Sequence, residues 1–210
     1  MALFTITDVH FEHIIHYPDI EIEAGRTTFI CGESGSGKST LLKLLNGVIT
    51  PTGGCITYLD KNIGEFDPVA LRREVLFVGQ AVYLFDQSIR ENFHTYYAYR
   101  DLDAPSEAEM EQYLEICAVS LPLDSMCTVL SGGERQRVFH AINLSLGPKV
   151  FMMDEPTSAL DDKNAKALME NIKAYCDEHG MTLLVVSHDK AIAEQYADRV
   201  IFLEGGVADG

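Results

Sequence analysis

Apolar runs of strand length alternate with turn residues over the N-terminal part of the chain. Three of these runs are rich in β-branched or aromatic residues, and the third follows the turn Gly25-Arg26. A glycine-rich stretch comes next, after which apolar residues recur at helical spacing. The pattern predicts strands at Leu3–Ile6, Ile20–Ile22 and Thr27–Cys31, and a helix at Ser39–Leu45.

The middle of the chain, residues 81–147, has a different pattern. Ser106 and Glu109 have the spacing of a capping box that opens one helix, and a second helix is predicted at Gly133–Leu146. Because no clear strand separates these helices, we expect a helical insertion. The plainer alternative is that this stretch simply continues the same domain.

Strand and helix patterns alternate again after Pro148. This alternation predicts a parallel sheet with helices on both faces. We therefore expect one α/β domain, in which residues 1–80 and 148–210 form the core and residues 81–147 the insertion. The predicted elements are strands at Val150–Met153, Thr182–Val186 and Val200–Leu203, and a helix at Lys163–His179.

The composition is that of a folded protein without a membrane span. The 210 residues suit one domain, and 47% hydrophobic residues are enough for a packed core. No apolar stretch approaches the roughly 20 residues that a spanning helix needs. The first residues lack the basic and apolar segments of a signal peptide. We therefore expect a cytoplasmic protein, unless a partner holds it at a membrane.

Charge and cysteine content argue against nucleic-acid binding, disulfides and a zinc site. The net charge of −16 argues against binding to nucleic acid, which requires clustered Lys and Arg. The five cysteines are scattered and form no Cys-x-x-Cys pair, so we expect reduced thiols instead of disulfides or a zinc site.

A phosphate-binding loop is predicted between the third strand and the first helix. Residues 32–39 spell GESGSGKS, which fits G-x-x-x-x-G-K-[ST] at each fixed position. Its backbone N–H groups and the helix N-terminus can surround a polyphosphate. Lys38 would reach the β- and γ-phosphates, and Ser39 would ligate Mg²⁺. The predicted nucleotide-binding residues are Gly32, Glu33, Ser34, Gly35, Ser36, Gly37, Lys38, Ser39 and Thr40.

Two adjacent acids follow the apolar run that begins at Val150. They would lie at the carboxyl edge of a parallel sheet, where ligands bind. Asp154 would hold Mg²⁺, directly or through water, and Glu155 would orient or deprotonate the attacking water. An isolated Asp-Glu pair often only marks a strand that leaves the core, but the phosphate loop favours the catalytic interpretation.

Residues 130–137, LSGGERQR, add a second candidate anion site. Ser131 is a suitable N-cap, and Gly132 and Gly133 would open the helix. Two glycines at a helix start reduce stability, which suggests a functional reason for them. The segment strongly resembles the signature motif of ABC ATPases.

The family's other motifs occur in the same order. GESGSGKS resembles Walker A, Gln80 the Q-loop, Phe151–Glu155 Walker B, Ser158–Asp161 the D-loop and His188 the switch histidine. The resemblance covers residues 1 to about 205, and six ordered motifs are not plausibly chance. It implies a P-loop NTPase core with a mainly parallel sheet, an N-terminal antiparallel β-subdomain and an inserted α-helical subdomain.

The resemblance also implies a mechanism that uses ATP and Mg²⁺. Two copies would pair head to tail as a homodimer, with Ser131, Gly132 and Gly133 on the partner's γ-phosphate. Glu155 would be the general base, and His188 would stabilise the γ-phosphate. Gln80 would sense Mg²⁺. The adenine-stacking position would fall on His13, near Phe11 and Tyr17.

A transport role is the preferred hypothesis. It requires a separate integral membrane permease and places the chain on the inner face of the cell membrane. Residues 81–93 resemble the surface that receives a permease's coupling helix, and the overall resemblance is to small stand-alone ATPases, including those of metal or iron exporters.

Two alternatives fit less well. A soluble, non-transport ABC ATPase acting on ribosomes or DNA usually has tandem domains or long coiled coils, and the charge disfavours nucleic acid. A small-molecule P-loop kinase leaves residues 130–137 and His188 unexplained.

Overall fold

The computed structural model describes residues 1–12 and 14–204. Its strands are β1 Ala2–Phe11, β2 Ile15–His16, β3 Ile20–Glu23, β4 Thr27–Gly32, β5 Gly53–Tyr58, β6 Lys61–Asn62, β7 Val75–Val78, β8 Val150–Asp154, β9 Thr182–Val186 and β10 Arg199–Leu203. Its helices are α1 Lys38–Leu45, α2 Pro68–Glu74, α3 Ile89–Ala98, α4 Glu107–Ile116, α5 Gly132–Ser145, α6 Asp162–Glu178 and α7 Lys190–Tyr196. Short 3-10 turns occur at Ile63–Glu65 and Cys127–Val129.

The chain forms two compact units. The first contains Met1–Phe77, Pro148–Glu155 and the chain from Cys176 onward, and the second contains Val78–Gly147 and Pro156–Tyr175. The first unit has an antiparallel sheet in the order β2-β1-β5-β6, with β3 also paired to β1. Its second sheet has the order β10-β4-β9-β8-β7, and the pairs among β10, β4, β9 and β8 are parallel. The predicted parallel sheet and N-terminal antiparallel sheet are therefore confirmed.

Helix α1 is anchored in the hydrophobic core of the first unit. Four of its leucines have no exposed surface, and they belong to a cluster with residues of both sheets. Burial of each such side chain stabilises the fold by roughly 1.5–3 kcal/mol. The buried leucines are Leu41, Leu42, Leu44 and Leu45. The start of α1, which follows the glycine-rich loop, is thus fixed relative to β4.

The second unit is mainly helical. Within it, α5 is buried along most of its length from Gln136 to Ser145. The Tyr97 hydroxyl of α3 donates to the Ser145 carbonyl at 2.6 Å, which fixes α3 on the end of α5. A hydroxyl contact of 3.2 Å joins Tyr113 of α4 to Tyr175 of α6.

The expectation of two helices in residues 81–147 was wrong, because α3 is a third. Ser88 caps α3 in a reciprocal capping box with Glu91, so the local signal was present in the sequence. Ile89, Phe93, Tyr96 and Tyr97 also recur at the helical spacing i, i+4, i+7 and i+8, so both signals of α3 can be found in the sequence. The predictions also omitted β2, β5, β6, β7, α2 and α7. The other predicted ends lie within one residue of the observed ones, except that β1 runs to Phe11, five residues beyond the predicted end at Ile6.

Candidate nucleotide-binding site

The phosphate loop connects the buried strand β4 to α1 in the first unit. Gly37 is the N-cap of α1 and has a left-handed backbone with φ 89°. A Cβ at this position would lie 2.8 Å from the Tyr17 hydroxyl and 3.0 Å from Ile15 Cγ2. Glycine is therefore required by both the conformation and the close packing. Glu33, Ser34 and Gly35 of the loop are exposed, so its outer side is accessible.

Lys38 lies inside this loop. Its side chain donates from Nζ to the Gly32 carbonyl at 3.0 Å and to the Glu33 carbonyl at 2.7 Å, and the residue is only 6% exposed. The ammonium group is thus held by backbone oxygens at the place where the loop N–H groups can receive an anion. Ser36 is buried beside it, whereas Ser39 and Thr40 are half-buried at the first turn of α1.

Tyr17 supports the loop from the antiparallel sheet, a role that the sequence analysis did not assign. The buried Tyr17 hydroxyl donates to the Gly37 carbonyl at 2.8 Å. Burial raises the pKa of Tyr17, and a hydrogen bond with Thr40 opposes the shift. The hydroxyl therefore stays protonated and keeps its donor. A tyrosine just after a short β-strand carries no motif that would reveal this contact.

Asp154 ends β8 at the carboxyl edge of the parallel sheet. It pairs with Val186 of β9 and is 5% exposed. Among the described residues, its Oδ1 atom has no hydrogen-bond partner. A buried carboxylate oxygen without a partner is costly unless a cation or water satisfies it. A carboxylate oxygen is the kind of ligand that a hard cation such as Mg²⁺ prefers, so this atom fits such a cation.

Glu155 turns away from the strand through a left-handed backbone, with φ 53°. Its N–H donates to the Val186 carbonyl at 2.9 Å, so the turn is held by β9. One carboxylate oxygen lies 3.1 Å from Nε2 of His188, and the other accepts from the His188 backbone N–H at 3.4 Å. Burial raises the pKa of Glu155, and the charge of His188 opposes the shift. The structure thus brings the two predicted catalytic residues together.

The signature segment lies in the second unit and opens α5. Ser131 is the N-cap: its hydroxyl accepts from the Glu134 N–H at 3.3 Å, and Glu134 accepts from the Ser131 N–H at 2.8 Å. Hydrogen bonds from the Ser131 hydroxyl and backbone lower the pKa of Glu134. The box orders the N-terminus of the helix, where the positive end of the dipole favours anions.

The two signature glycines have different surroundings. A Cβ on Gly133 would lie 2.9 Å from Leu160 Cδ2 and 3.0 Å from the Ala159 carbonyl, so this glycine lets α5 pack closely on residues 158–161. A Cβ on Gly132 would meet no described atom within 4 Å. Gly132 therefore faces open space, so another molecule can closely approach the backbone there.

Comparisons with known proteins place this geometry in a family. The sequence model described as ABC transporter matches residues 15–158. The chain belongs to the ABC transporter family. Its members are ATPases coupled to transport, and the chain is an ABC-type ATPase that converts ATP and water to ADP and phosphate.

Individual relatives agree over nearly the full chain. The probable iron export ATP-binding protein FetA of Escherichia coli is 36% identical over 195 residues, 91% of this chain and 84% of the relative. The solved structure of cbiO1 from Clostridium perfringens, part of the ABC transporter complex cbiONQ, gives a TM-score of 0.85 at 25% identity and covers 98% of this chain and 86% of that chain. The dimeric bacterial ABC transporter cassette MJ0796 gives a TM-score of 0.82 at 27% identity and covers 97% and 95%.

Four further expectations from the sequence concern Gln80, His13, the cysteines and the lack of a membrane-spanning helix in this ABC ATPase. Gln80 is exposed in the second unit, two residues after the end of β7. His13, the predicted adenine-stacking residue, lies outside the described residues. All five cysteines are free thiols, as predicted. None of the described helices has the length and apolar character needed to cross a membrane.

An exposed aromatic surface follows Gln80 in the second unit. Tyr83, Phe85 and Tyr99 are 70%, 40% and 73% exposed. The buried amide of Asn92 fixes this segment, since its Oδ1 accepts from the Phe85 N–H at 2.9 Å and its Nδ2 donates to the Ser88 carbonyl at 2.9 Å. Exposed aromatic groups on a backbone fixed in this way are suited to contact another protein.

Proposed function

We propose that the chain is the ATPase subunit of a transporter and works as a head-to-tail homodimer bound to a separate integral membrane permease on the inner face of the cell membrane. The observation that carries this proposal is the open space at Gly132, on the exposed and capped start of α5. The exposed N–H groups at such a helix N-terminus can bind an anion that a second molecule brings. The partner is the phosphate of an ATP held by a second copy.

The nucleotide phosphates bind to the loop between β4 and α1. Lys38 is already directed into the loop by the Gly32 and Glu33 carbonyls, so it can transfer its donors to a phosphate without a large movement. The exposed backbone of Ser34 and Gly35 supplies further N–H donors. The proposed binding residues are Gly32, Glu33, Ser34, Gly35, Ser36, Gly37, Lys38, Ser39 and Thr40, and His13 is retained as the proposed contact to adenine.

Hydrolysis depends on Glu155 and His188. Glu155 accepts the proton of the attacking water, and its raised pKa makes it a better base than an exposed carboxylate. His188 fixes the carboxylate before nucleotide binds, and its half-exposed ring can contact the γ-phosphate. Positioning and charge stabilisation are the main contributions that phosphoryl transfer requires from a protein.

Mg²⁺ is the proposed cofactor. Asp154 and Ser39 would hold it, and the unpartnered Oδ1 of Asp154 supports this assignment. When bound, Mg²⁺ neutralises charge on the β- and γ-phosphates.

The signature contacts phosphate in the opposite copy. Ser131, Gly132 and Gly133 supply backbone and hydroxyl donors from the N-terminus of α5, and Gly133 also keeps this helix packed on Leu160. ATP therefore contributes contacts to both copies and joins them, and its hydrolysis removes those contacts. The dimeric state of the MJ0796 cassette supports this arrangement.

The permease binds the aromatic surface formed by Tyr83, Phe85 and Tyr99. The exposure of these rings and the fixed backbone at Asn92 support a docking role.

Size-exclusion chromatography with and without ATP tests whether the chain dimerises. Glu155→Gln should elute as a dimer with ATP and as a monomer without it, because ATP stays intact between the copies. Adding Lys38→Ala should abolish the shift, whereas adding Lys43→Ala on the same helix should retain it. A Glu155→Gln chain that stays monomeric in saturating ATP would contradict the proposal.

Recovery of the permease tests the transporter role. The tagged chain, purified from its own membranes, should retain a polytopic membrane protein. A Tyr83→Ala/Phe85→Ala variant should retain much less of it, and the exposed-site control His94→Ala should behave like the wild type. Equal recovery with all three chains would exclude the aromatic surface as the docking site.

A further inference from the structure

A cluster of two histidines and one aspartate lies on the antiparallel sheet of the first unit. His10 of β1 and His16 of β2 are direct cross-strand partners. The Nε2 atom of each histidine lies 3.2 Å from the same carboxylate oxygen of Asp8. One side-chain atom from each of the three residues lies within 4.8 Å of the others. The arrangement therefore converges on one point outside the nucleotide motifs.

The backbone is shaped to bring these groups together. The β1–β5 register shifts between Thr7 and His10, and Asp8 within this bulge has a left-handed backbone with φ 51°. A Cβ on Gly54 would lie only 2.1 Å from the Asp8 carbonyl oxygen, so the bulge requires glycine on the neighbouring strand. The Asp8 N–H donates to Asp19 Oδ1 at 3.0 Å, which holds the unusual conformation. Bulges of this kind re-aim side chains and are frequent next to functional sites.

The chemistry of the three groups suits a transition-metal ion. Two imidazole nitrogens and one carboxylate oxygen form a donor set that Zn²⁺ and related divalent ions accept, with water in the remaining position. The two 3.2 Å nitrogen–oxygen separations are close to the roughly 3.4 Å edge of a tetrahedron with metal–ligand bonds near 2.1 Å. The side chains of His10, His16 and Asp8 are 42%, 53% and 72% exposed, so an ion can reach them from solvent.

One adjustment is needed for shared coordination. The two imidazole rings stack with centroids 4.3 Å apart and an interplanar angle of 1°. Parallel rings do not direct both lone pairs at one ion, so the rings must tilt towards each other on binding. Gly53 pairs with His10 across the strands and has no side chain. A Cβ at this position would lie 3.4 Å from His10 Cδ2, so its absence leaves room for the ring to move.

We propose that Asp8, His10 and His16 bind one divalent transition-metal ion of the Zn²⁺ class. The ion cross-links β1 to β2 on the outer side of the sheet. The neighbours of His16 along the chain, Ile15 and Tyr17, contact the Gly37 region of the phosphate loop. The bound ion therefore braces the strand that supports this loop, and its binding is independent of the transporter role.

A metal titration of the full chain tests the site. The Cys55→Ser chain removes the half-buried thiol as a competing ligand and serves as the reference, and Zn²⁺ is titrated in competition with a chromophoric chelator. The reference should bind one equivalent more than its His10→Ala/His16→Ala variant, while His94→Ala should match the reference. The Glu155–His188 pair is present in every chain and contributes the same background. Equal stoichiometry and affinity in the reference and the double variant would overturn the proposal.

A milder variant and a spectroscopic probe guard against misfolding. Asp8→Asn preserves the left-handed backbone, which Asn tolerates, but removes the anionic ligand and should weaken Zn²⁺ binding by roughly tenfold or more.

Co²⁺ should give visible ligand-field absorption with the reference, and this absorption should be absent from the double variant. Zn²⁺ at about a hundredfold excess over Kd should raise the Tm of the reference by roughly 5 °C or more and leave the double variant unchanged. Unchanged affinity in Asp8→Asn, together with no shift in Tm of the reference, would also overturn the site.

Discussion

Glu155 and His188 are paired through both side chain and backbone. Nε2 of His188 lies 3.1 Å from one carboxylate oxygen, and its backbone N–H donates to the other at 3.4 Å. The pairing follows from the adjacent parallel strands β8 and β9, whose carboxyl ends deliver both residues to one edge. The proposed base is therefore oriented before nucleotide binds.

Replacing the proposed base should stop turnover. Glu155→Gln keeps the size of the side chain but cannot accept the proton of water, so the steady-state ATPase rate should fall by roughly 10²–10⁴-fold. Phosphate release from purified chain measures the rate. Glu178→Gln, an exposed carboxylate at the end of α6, should retain wild-type activity. A Glu155→Gln rate near that of the control would exclude the assignment.

The same substitution should stabilise the fold at neutral pH. Because burial raises the pKa of Glu155, this carboxyl contributes stability that is present below its unfolded pKa and lost as pH rises through the folded pKa. Above its folded pKa, the wild type must keep a charge in a buried place, and Glu155→Gln does not. Thermal unfolding should give a higher Tm for the variant at pH 7, and the difference should shrink near pH 4. A destabilised variant at both pH values would show that the His188 contact outweighs burial.

The two signature glycines should respond differently to alanine. Gly133→Ala places a Cβ against Leu160 and the Ala159 carbonyl and should lower the free energy of unfolding by roughly 1–3 kcal/mol. Gly132→Ala meets open space and should be neutral or slightly stabilising, since alanine favours the helix. Urea unfolding of the matched pair measures both effects. Equal destabilisation by the two changes would refute the packing difference.

His140 should make the fold sensitive to acid. It lies fully buried in α5, its ring nitrogens have no hydrogen-bond partner among the described residues, and burial lowers its pKa to about 4. Its contribution to stability is complete above the unfolded pKa near 6.5 and is lost as pH falls towards the folded value. Between pH 7 and pH 4 the wild type should therefore lose roughly 3 kcal/mol more of its free energy of unfolding than His140→Leu.

Denaturant unfolding at the two pH values measures this loss, and the exposed-site variant His94→Leu is the control. It should lose as much stability as the wild type, because it keeps the buried His140. If the wild type and His140→Leu lost equal amounts of free energy of unfolding between pH 7 and pH 4, the prediction would be contradicted, because His140 would then be protonated equally well within the fold.

The phosphate loop, the acidic strand end and the signature were all predictable because each has a fixed spacing of residue types. The contact of Tyr17 with the Gly37 carbonyl was not, since it joins positions from separate strands and leaves no local pattern. The different surroundings of Gly132 and Gly133 also depend on Leu160, which is close only in the folded chain.

Helix α2 and strand β7 were missed because their local signals are short. Helix α2 has a clear start, with Asp67 accepting from the Val69 and Ala70 N–H groups, but only seven residues follow. Strand β7 directly continues it and is recognisable only as a partner of β8. For β7, pairing with β8 in the folded sheet determines the strand more than the β-propensity of its four residues does.

Mixing two inactive variants tests the shared site most directly. Lys38→Ala damages the phosphate loop, and Gly132→Asp places a negative charge at the start of α5, where there is space and where an acid suits the helix dipole. In a head-to-tail dimer of one copy of each, one site carries both changes and the other carries neither. An equimolar mixture should therefore recover a substantial part of the wild-type ATPase rate. A mixture no more active than either variant alone would contradict the shared site.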